Sequence, residues 1–184
     1  MAQKNIVTVF GSSRPRPEER EYVLAHRLGG ELARAGYIVC NGGYAGIMEA
    51  SACGAKESGG ETIGIICTSF AGKRPNPWID MVIQEKSLIA RMMKLIDVAH
   101  AYVILKGGTG TLLELAAVWE LMNKGIMAEK PILVLGDFWK GVVGTLKEEL
   151  AWEGAEDCTK FVTVAQTAEE CCRLLRTALR GSQA

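Results

Sequence analysis

The sequence has no excess of charge of either sign, because 21 basic and 21 acidic residues give a formal net charge of zero. Proteins that grip the phosphate backbone are typically basic, so we expect no nucleic acid partner. No apolar run approaches the ~20 residues of a membrane span, and no signal-like segment opens the sequence. We therefore expect a cytoplasmic protein without a membrane partner. A small anionic ligand requires only a local positive charge and is compatible with this balance.

Histidine is also scarce, with only His26 and His100 in the chain. A histidine-based zinc site or a Ser-His-Asp triad would need one of them; His26 reads as a surface residue, and His100 has no evident partner. The six cysteines show no C-x-x-C spacing, and most lie in apolar segments, so we expect reduced, mostly buried thiols. The sequence therefore predicts no metal site.

Short apolar segments alternate with helical patterns from end to end. The predicted strands are 6–10, 37–40, 62–66, 80–84, 101–105, 131–135 and 161–164, and the predicted helices are 17–35, 47–57, 87–98, 111–124, 140–150 and 167–180. Apolar strands separated by helices are typical of a parallel sheet covered on both faces. We predict one α/β domain over residues 1–184, with a Rossmann-like, doubly wound parallel sheet.

Local signals mark several helix ends. Pro17 suits the first position of the first helix, and Gly36 suits its end. Thr167 with Glu170 three residues later forms a capping-box pattern for the last helix.

Three polar, glycine-containing loops follow predicted strands. Because right-handed crossovers place all strand-to-helix loops at the same edge of a parallel sheet, we expect these loops to meet there and bind a ligand. The candidate binding residues are Gly11, Ser12, Ser13, Gly42, Gly43, Gly46, Gly107, Gly108, Thr109, Gly110 and Thr111.

The strongest motif is G-G-T-G-T-L-L-E, from Gly107 to Glu114. Glycines let backbone N–H groups approach a phosphate, and a helix N-terminus adds a positive dipole. Glu114 lies one turn into the helix, so its carboxylate can face the same crevice. Thr111 and Glu114 also match the capping box T-x-x-E, which is the purely structural alternative. The three preceding glycines favour binding, since capping does not require them.

Arg91 and Lys94 are three residues apart on one predicted helix and share a face. Such a pair can hold a phosphate, and Arg91 can do so bidentately; a solvated cationic stripe is the alternative. Arg14, after the first strand, is equally ambiguous. The loops match neither the dinucleotide pattern G-x-G-x-x-G nor a Walker ending, so an NAD dehydrogenase or a P-loop ATPase is not expected.

These motifs resemble those of the LONELY GUY family. Its hallmark P-G-G-x-G-T-x-x-E matches 107–114, with Lys106 in place of the proline. Its G-G-G-x-x-G-L-M loop matches 42–48, with Asn41 for the first glycine and isoleucine for leucine, so that Met48 ends the motif. The start at 11–13 and the aromatic loop near Phe138 are also similar. The resemblance covers about residues 6–145.

The resemblance implies a phosphoribohydrolase, which cuts the N-glycosidic bond of a nucleoside 5′-monophosphate to give free base and ribose 5-phosphate. It implies that Glu114 is the catalytic carboxylate and Arg91 its cationic partner. The 107–111 loop would hold the 5′-phosphate, and the 42–46 loop would shape the ribose and base end. The resemblance also implies a homodimer that pairs through helices, and it implies that no cofactor is needed.

Three of the departures from the family pattern bear on the activity. Met92 replaces a lysine, although Lys94 is one turn on; Lys106 replaces the proline; and Glu49 stands at a small-residue position. These departures keep open a second hypothesis, a non-catalytic carrier of a nucleotide or of the molybdenum cofactor, as in a sister branch of the same fold. Older naming labels the family lysine decarboxylases. That chemistry needs pyridoxal phosphate on a lysine, for which the sequence shows no motif.

Overall fold

The computed structural model describes residues 4–70, 72 and 74–181. Its centre is a sheet of seven strands, all paired in parallel. The strands are Ile6–Phe10 (β1), Ile38–Asn41 (β2), Thr62–Cys67 (β3), Met81–Glu85 (β4), Ala101–Ile104 (β5), Ile132–Leu135 (β6) and Val162–Ala165 (β7). Their order across the sheet is β4-β3-β2-β1-β5-β6-β7. The predicted doubly wound α/β fold is confirmed.

Six helices cover the sheet, three on each face. They are Arg20–Arg34 (α1), Ile47–Glu57 (α2), Leu88–Asp97 (α3), Thr109–Asn123 (α4), Lys140–Trp152 (α5) and Ala168–Gly181 (α6). One core packs α1, α2 and α6 against side chains such as Val7 and Val103, and the other packs α3, α4 and α5 against Tyr102 and Ile104. Alternate residues of a strand point to opposite faces, and both faces are covered by helices, which is why most positions of the central strands are apolar.

The first helix begins later than its proline predicts. Pro17 lies in a turn, where Glu19 N donates to Arg16 O and the Glu19 carboxylate accepts from Arg16 N. Helix α1 starts only at Arg20, so the expectation that Pro17 takes the first helical position is wrong. The other end agrees with the prediction, since Gly36 follows the helix with a φ of +85° that favours glycine.

The remaining differences are small. A 3₁₀ helix at Glu156–Phe161, which the sequence did not suggest, precedes β7. At the start of α6, Thr167 Oγ1 accepts from Glu170 N as the capping box predicts, although Glu170 accepts from Gln166 N instead of the threonine. All six cysteines are unpaired, and five are buried, as expected. No helix in the described ranges combines the length and apolarity needed to cross a membrane.

Candidate functional site

The order of the strands creates a crevice beside β1. The chain runs outward from β1 to β4 and then returns to place β5 on the other side of β1. The loops after β1 and β5 therefore leave the sheet toward opposite faces, which is where ligands bind in folds of this type. A cleft of about 420 Å³ opens there. It is lined by Gly11, Ser12, Ser13, Arg14, Tyr44, Met48, Phe70, Leu88, Arg91, Met92, Gly108, Thr109, Gly110, Thr111, Leu113 and Glu114.

The N-terminus of α4 forms one wall of this cleft. Gly108 is the N-cap residue and makes no side-chain cap, so the helix starts at Thr109, two residues before the predicted start. Thr111 consequently lies inside the helix, and the capping-box reading of Thr111 with Glu114 is wrong. The first N–H groups of a helix have no acceptor within it, so those of 109–111 are available to an anion in the cleft.

Gly107 is set behind this wall and is not in the cleft lining. A Cβ at this position would overlap the Thr111 side chain, which is 4% exposed. Glycine here lets Thr111 pack under the loop. Gly107 therefore has a structural role, while Gly108, Thr109 and Gly110 face the opening.

Arg91 projects from α3 into the base of the cleft and is only 6% exposed. Its Nε donates to Ile65 O at 2.6 Å, and its Nη2 donates to Gly42 O at 3.0 Å. The guanidinium also lies over the rings of Tyr44 and Phe70, at 5.4 and 5.9 Å from their centres. Burial lowers the pKa of Arg91. These contacts exclude the solvated cationic stripe for Arg91.

Glu114 is partly buried on α4 and faces the same cleft as Arg91. Its carboxylate makes no hydrogen bond or ion pair with another described residue. Burial raises the pKa of its carboxyl to about 7, and the positive charge of Arg91 acts in the opposite direction. A carboxyl that titrates near neutral pH inside a cleft is typical of functional sites. The two residues predicted to do chemistry are thus brought together.

The loop between β2 and α2 supports the site from below. Gly42, Gly43 and Gly46 do not line the cleft. Gly42 holds Arg91 through its carbonyl, and a Cβ there would overlap the guanidinium. Gly46, with a φ of +69°, packs against the backbone of Ser12 and Ser13. Of this motif, only Tyr44 and Met48 reach the opening.

Asn41, which replaces a glycine of the family motif, braces the same loop. Its Oδ1 accepts from Gly43 N, and its Nδ2 donates to Met48 O, both at 2.8 Å. The side chain is fully buried. The substitution therefore supplies hydrogen bonds that fix the loop, and it leaves the cleft unobstructed.

The loop after β1 gives the cleft its second cation. Ser12 N donates to Lys106 O, and Ser12 O accepts from Ile47 N, so this loop is tied to both neighbouring loops. Ser12 Oγ accepts from Arg14 N, and the exposed Arg14 lines the cleft. Lys94 does not line it. The predicted pairing of Arg91 with Lys94 around a phosphate is therefore not formed.

The other departures from the family pattern lie at or outside the rim. Lys106 forms an ion pair with Glu21 at 2.6 Å, on the far side of its loop from the cleft. Glu49 is not in the lining, whereas Met92 is buried at the cleft edge and joins the apolar core. Only Met92 changes the chemistry of the cleft itself, replacing a cation by an apolar side chain.

Sequence reasoning missed the aromatic wall formed by Tyr44 and Phe70, whose rings lie 5.8 Å apart. Tyr44 is fixed by its hydroxyl, which accepts from Cys67 N and donates to Cys67 O. The glycines on both sides of Tyr44 were a signal for a functional loop, but they did not indicate which side chain faces the ligand. Phe70 lies between the predicted strands 62–66 and 80–84, in a segment that was predicted only to be a loop.

Known proteins that are similar to this chain fall into one family and its relatives. The model of the SLOG cluster4 family matches residues 4–171. A cytokinin riboside 5′-monophosphate phosphoribohydrolase of Mycobacterium marinum is 33% identical over 136 residues, which are 72% of this chain and 71% of that protein. A pyrimidine/purine nucleotide 5′-monophosphate nucleosidase of Escherichia coli is 31% identical over 53% of this chain, but only 23% of that longer protein.

Among solved structures, the molybdenum cofactor binding protein from the phototrophic bacterium Rippkaea orientalis is similar over nearly its whole length. The match has a TM-score of 0.76 and 26% sequence identity, and it covers 96% of this chain and 98% of that protein. One fold thus accommodates relatives named for nucleotide cleavage and relatives named for cofactor binding.

Proposed function

The chain belongs to the SLOG cluster4 family, in agreement with its resemblance to the LONELY GUY proteins, and from this premise we propose that it is a nucleoside 5′-monophosphate phosphoribohydrolase. The reaction would cleave the N-glycosidic bond with water to give a free base and ribose 5-phosphate. The observation that carries the proposal is the placement of Glu114, with a pKa near 7, in the cleft that also holds Arg91 and the N-terminus of α4.

The phosphate is assigned to the N-terminus of α4. There the N–H groups of 109–111 and the helix dipole attract an anion, and Arg14 adds a positive charge at the rim. Glu114 follows Thr109 by five residues, which is about 7.5 Å along a helix axis. This separation is comparable with the span from a 5′-phosphate to the glycosidic carbon of a nucleotide. Phosphate and carboxylate therefore fit one substrate.

Glu114 acts on the ribose in this scheme. The C1′–N bond breaks with its electron pair leaving on the base, and the ribose becomes oxocarbenium-like. A carboxylate next to that carbon stabilises the positive charge and orients a water molecule, as in glycosidases. The water oxygen bonds to C1′, and its proton passes to Glu114 and from there to solvent or to the departing base. The ionised form of Glu114 is the active one.

Arg91 and the aromatic wall would complete the site. The guanidinium charge lowers the pKa of Glu114 against the effect of burial and so maintains part of the ionised population. Tyr44 and Phe70 line the cleft beside it and offer flat apolar surface to a planar base. Met48 and Met92 would border the same end of the ligand.

We further propose that the protein acts as a homodimer. Exposed apolar side chains cluster at the starts of α3 and α4, and two of them, Leu88 and Leu113, also line the cleft. Exposed apolar groups of this kind favour association. A partner on these helices would border the substrate site. Light scattering on purified protein should give twice the chain mass, whereas a monomer would contradict this proposal.

A carrier of the molybdenum cofactor is the second candidate. Two observations favour it: the match to the cofactor-binding protein of Rippkaea orientalis over nearly the whole chain, and the apolar Met92 where the hydrolase motif has a lysine. A phosphorylated pterin could use the same helix N-terminus for its phosphate. Glu114 would then have no catalytic task.

One experiment separates the two candidates. Purified protein is incubated with AMP or isopentenyladenosine monophosphate, and base and ribose 5-phosphate are quantified by chromatography. The hydrolase predicts equal amounts of both products, and no cleavage of adenosine, the matched substrate that lacks the phosphate. Tight binding of nucleotides or of molybdenum cofactor with no base released would favour the carrier.

A further inference from the structure

Three side chains with metal-binding atoms meet where α1 packs against α2. His26 is on α1, and Cys53 and Glu57 are on α2; their ligand atoms all lie within 4.8 Å of one another. The His26 Nε2 is 2.8 Å from Glu57 Oε2, and the Cys53 Sγ is 3.6 Å from Glu57 Oε1. None of the three lines the candidate active site.

The backbone holds these side chains at fixed positions. A Cβ at Gly54 would overlap His26 O, and one at Gly29 would overlap Ser51 O, so the two helices touch backbone to backbone. This contact sets the distance from His26 to the neighbouring turn of α2. Cys53 and Glu57 are four residues apart and therefore share one helix face. The site thus rests on two packed helices and requires no loop to order.

We propose that His26, Cys53 and Glu57 bind a divalent transition-metal ion of the zinc type. Imidazole nitrogen, thiolate sulfur and carboxylate oxygen are the donors that Zn²⁺ takes, with bonds of about 2.0 to 2.3 Å in tetrahedral geometry. Tetrahedral bonds of that length place ligand atoms roughly 3.5 Å apart. Modest side-chain rotation reaches this spacing, because His26 is partly exposed and Glu57 is exposed.

The coordination of the proposed site follows from exposure. Cys53 is the buried member of the cluster and would bind the ion from the protein interior. His26 and Glu57 would bind it from the solvent side. A water molecule would complete the four ligands. On binding, the Cys53 thiol releases its proton to solvent. The ion would link α1 to α2, because His26 and Glu57, which are 31 residues apart in sequence, would both bind it.

A nucleophilic role for Cys53 fits the geometry less well. A reactive cysteine needs a histidine base or a neighbouring positive charge that stabilises its thiolate, but the Sγ contacts the carboxylate of Glu57 and makes no hydrogen bond with the His26 ring. The ring nitrogen that faces the cluster is instead directed at the same carboxylate as the thiol. Convergence of all three groups on one point is the arrangement that a metal ion requires.

The test is a titration of the full chain with Co²⁺ alone, followed by absorption spectroscopy. A thiolate-to-cobalt band in the near ultraviolet should appear with one equivalent and disappear when Zn²⁺ is added. The band should be lost in Cys53→Ser and kept in Cys158→Ser, a matched control at a cysteine outside the cluster. Circular dichroism verifies that each variant is folded.

His26→Gln and Glu57→Gln change side chains that are 38% and 54% exposed, and these variants are used if Cys53→Ser does not fold. Each should weaken Co²⁺ binding by about tenfold or more, since each removes one of three protein ligands. The proposal is overturned if the wild-type protein gives no thiolate band, or if Cys53→Ser, His26→Gln and Glu57→Gln bind Co²⁺ as the wild type does.

Discussion

Arg91 and Glu114 face the same cleft and affect each other's pKa, yet they do not form a salt bridge. Arg91 donates to two backbone carbonyls instead. The arginine is therefore held by the fold, and the carboxylate remains available to a ligand. A direct ion pair would keep Glu114 charged but would occupy the oxygens that the proposed reaction needs.

The pH dependence of turnover follows from Glu114. Its pKa is raised to about 7, and the ionised form acts in the proposed mechanism. We expect kcat/KM for AMP to rise about tenfold per pH unit below 7 and to level off above it. A rate profile from pH 5 to 9 measures this. A profile that is flat between pH 5 and 7, or that falls, would contradict the assigned role.

The ionisation of Glu114 should also affect stability, but in the opposite direction, so that stability falls as the pH rises. Because the folded pKa lies above the ordinary value of 4.5, the native state binds the proton more tightly than the unfolded state. Its favourable contribution is complete below pH 4.5 and is lost as the pH rises through 7. Glu114→Gln removes this loss, so at pH 8 the free energy of unfolding should rise by about 1 to 2 kcal/mol, reduced from the full linkage value because the cleft is open.

Denaturant titrations of both proteins at pH 4.5 and pH 8 test this prediction. The gain of the glutamine variant should be present at pH 8 and nearly absent at pH 4.5. An equal difference at both values would show that burial of Glu114 does not strain its ionised form.

Gly42 should tolerate no side chain, because a Cβ there would overlap the Arg91 guanidinium. Gly42→Ala is expected to displace Arg91, destabilise the fold by about 1 to 3 kcal/mol and lower base release. The matched control is Gly144→Ala on α5, where a Cβ meets open space and alanine favours the helix. Equal activity of the two variants would refute the role of Gly42 in placing Arg91.

Arg91 should not be replaceable by lysine. Arg91→Lys keeps the charge but cannot reach both Ile65 O and Gly42 O with one fork, so a buried carbonyl loses its donor. We expect a loss of about 1 to 3 kcal/mol in stability, with reduced turnover. Lys94→Met should leave both unchanged, since Lys94 does not line the cleft. Thermal melts and base-release assays on the two variants check this.

Much of the fold could be predicted from the sequence, because short, mostly apolar segments alternate with longer helical patterns along the whole chain. Helix ends were harder to place. Pro17 is chemically suited to a first turn, but the Glu19 carboxylate captures Arg16 N and delays α1 until Arg20. In α4 the glycines already adopt the helix start, so Thr111 became an interior residue instead of a cap.

The site was predictable where residues stand beside a strand end, and less so where contacts span the fold. Glu114 and the residues 108–111 lie in the first turns of α4, the element that follows β5 along the chain. By contrast, the support of Arg91 by Gly42 joins residues 49 apart, and the wall of Tyr44 and Phe70 depends on a loop without a motif. The sequence predicted an ordinary surface residue at His26 and an inert thiol at Cys53. The residue spacing within one helix cannot show that α1 packs against α2 and brings the two side chains together.

The rate of base release from AMP by Glu114→Gln decides whether the Glu114 carboxylate takes part in cleaving the glycosidic bond. Glu120→Gln, an exposed carboxylate on the same helix, is the matched control. We predict a loss of at least about a hundredfold for Glu114→Gln, with AMP still bound, and a wild-type rate for Glu120→Gln. Release by Glu114→Gln at the wild-type rate would show that the Glu114 carboxylate has no part in the cleavage.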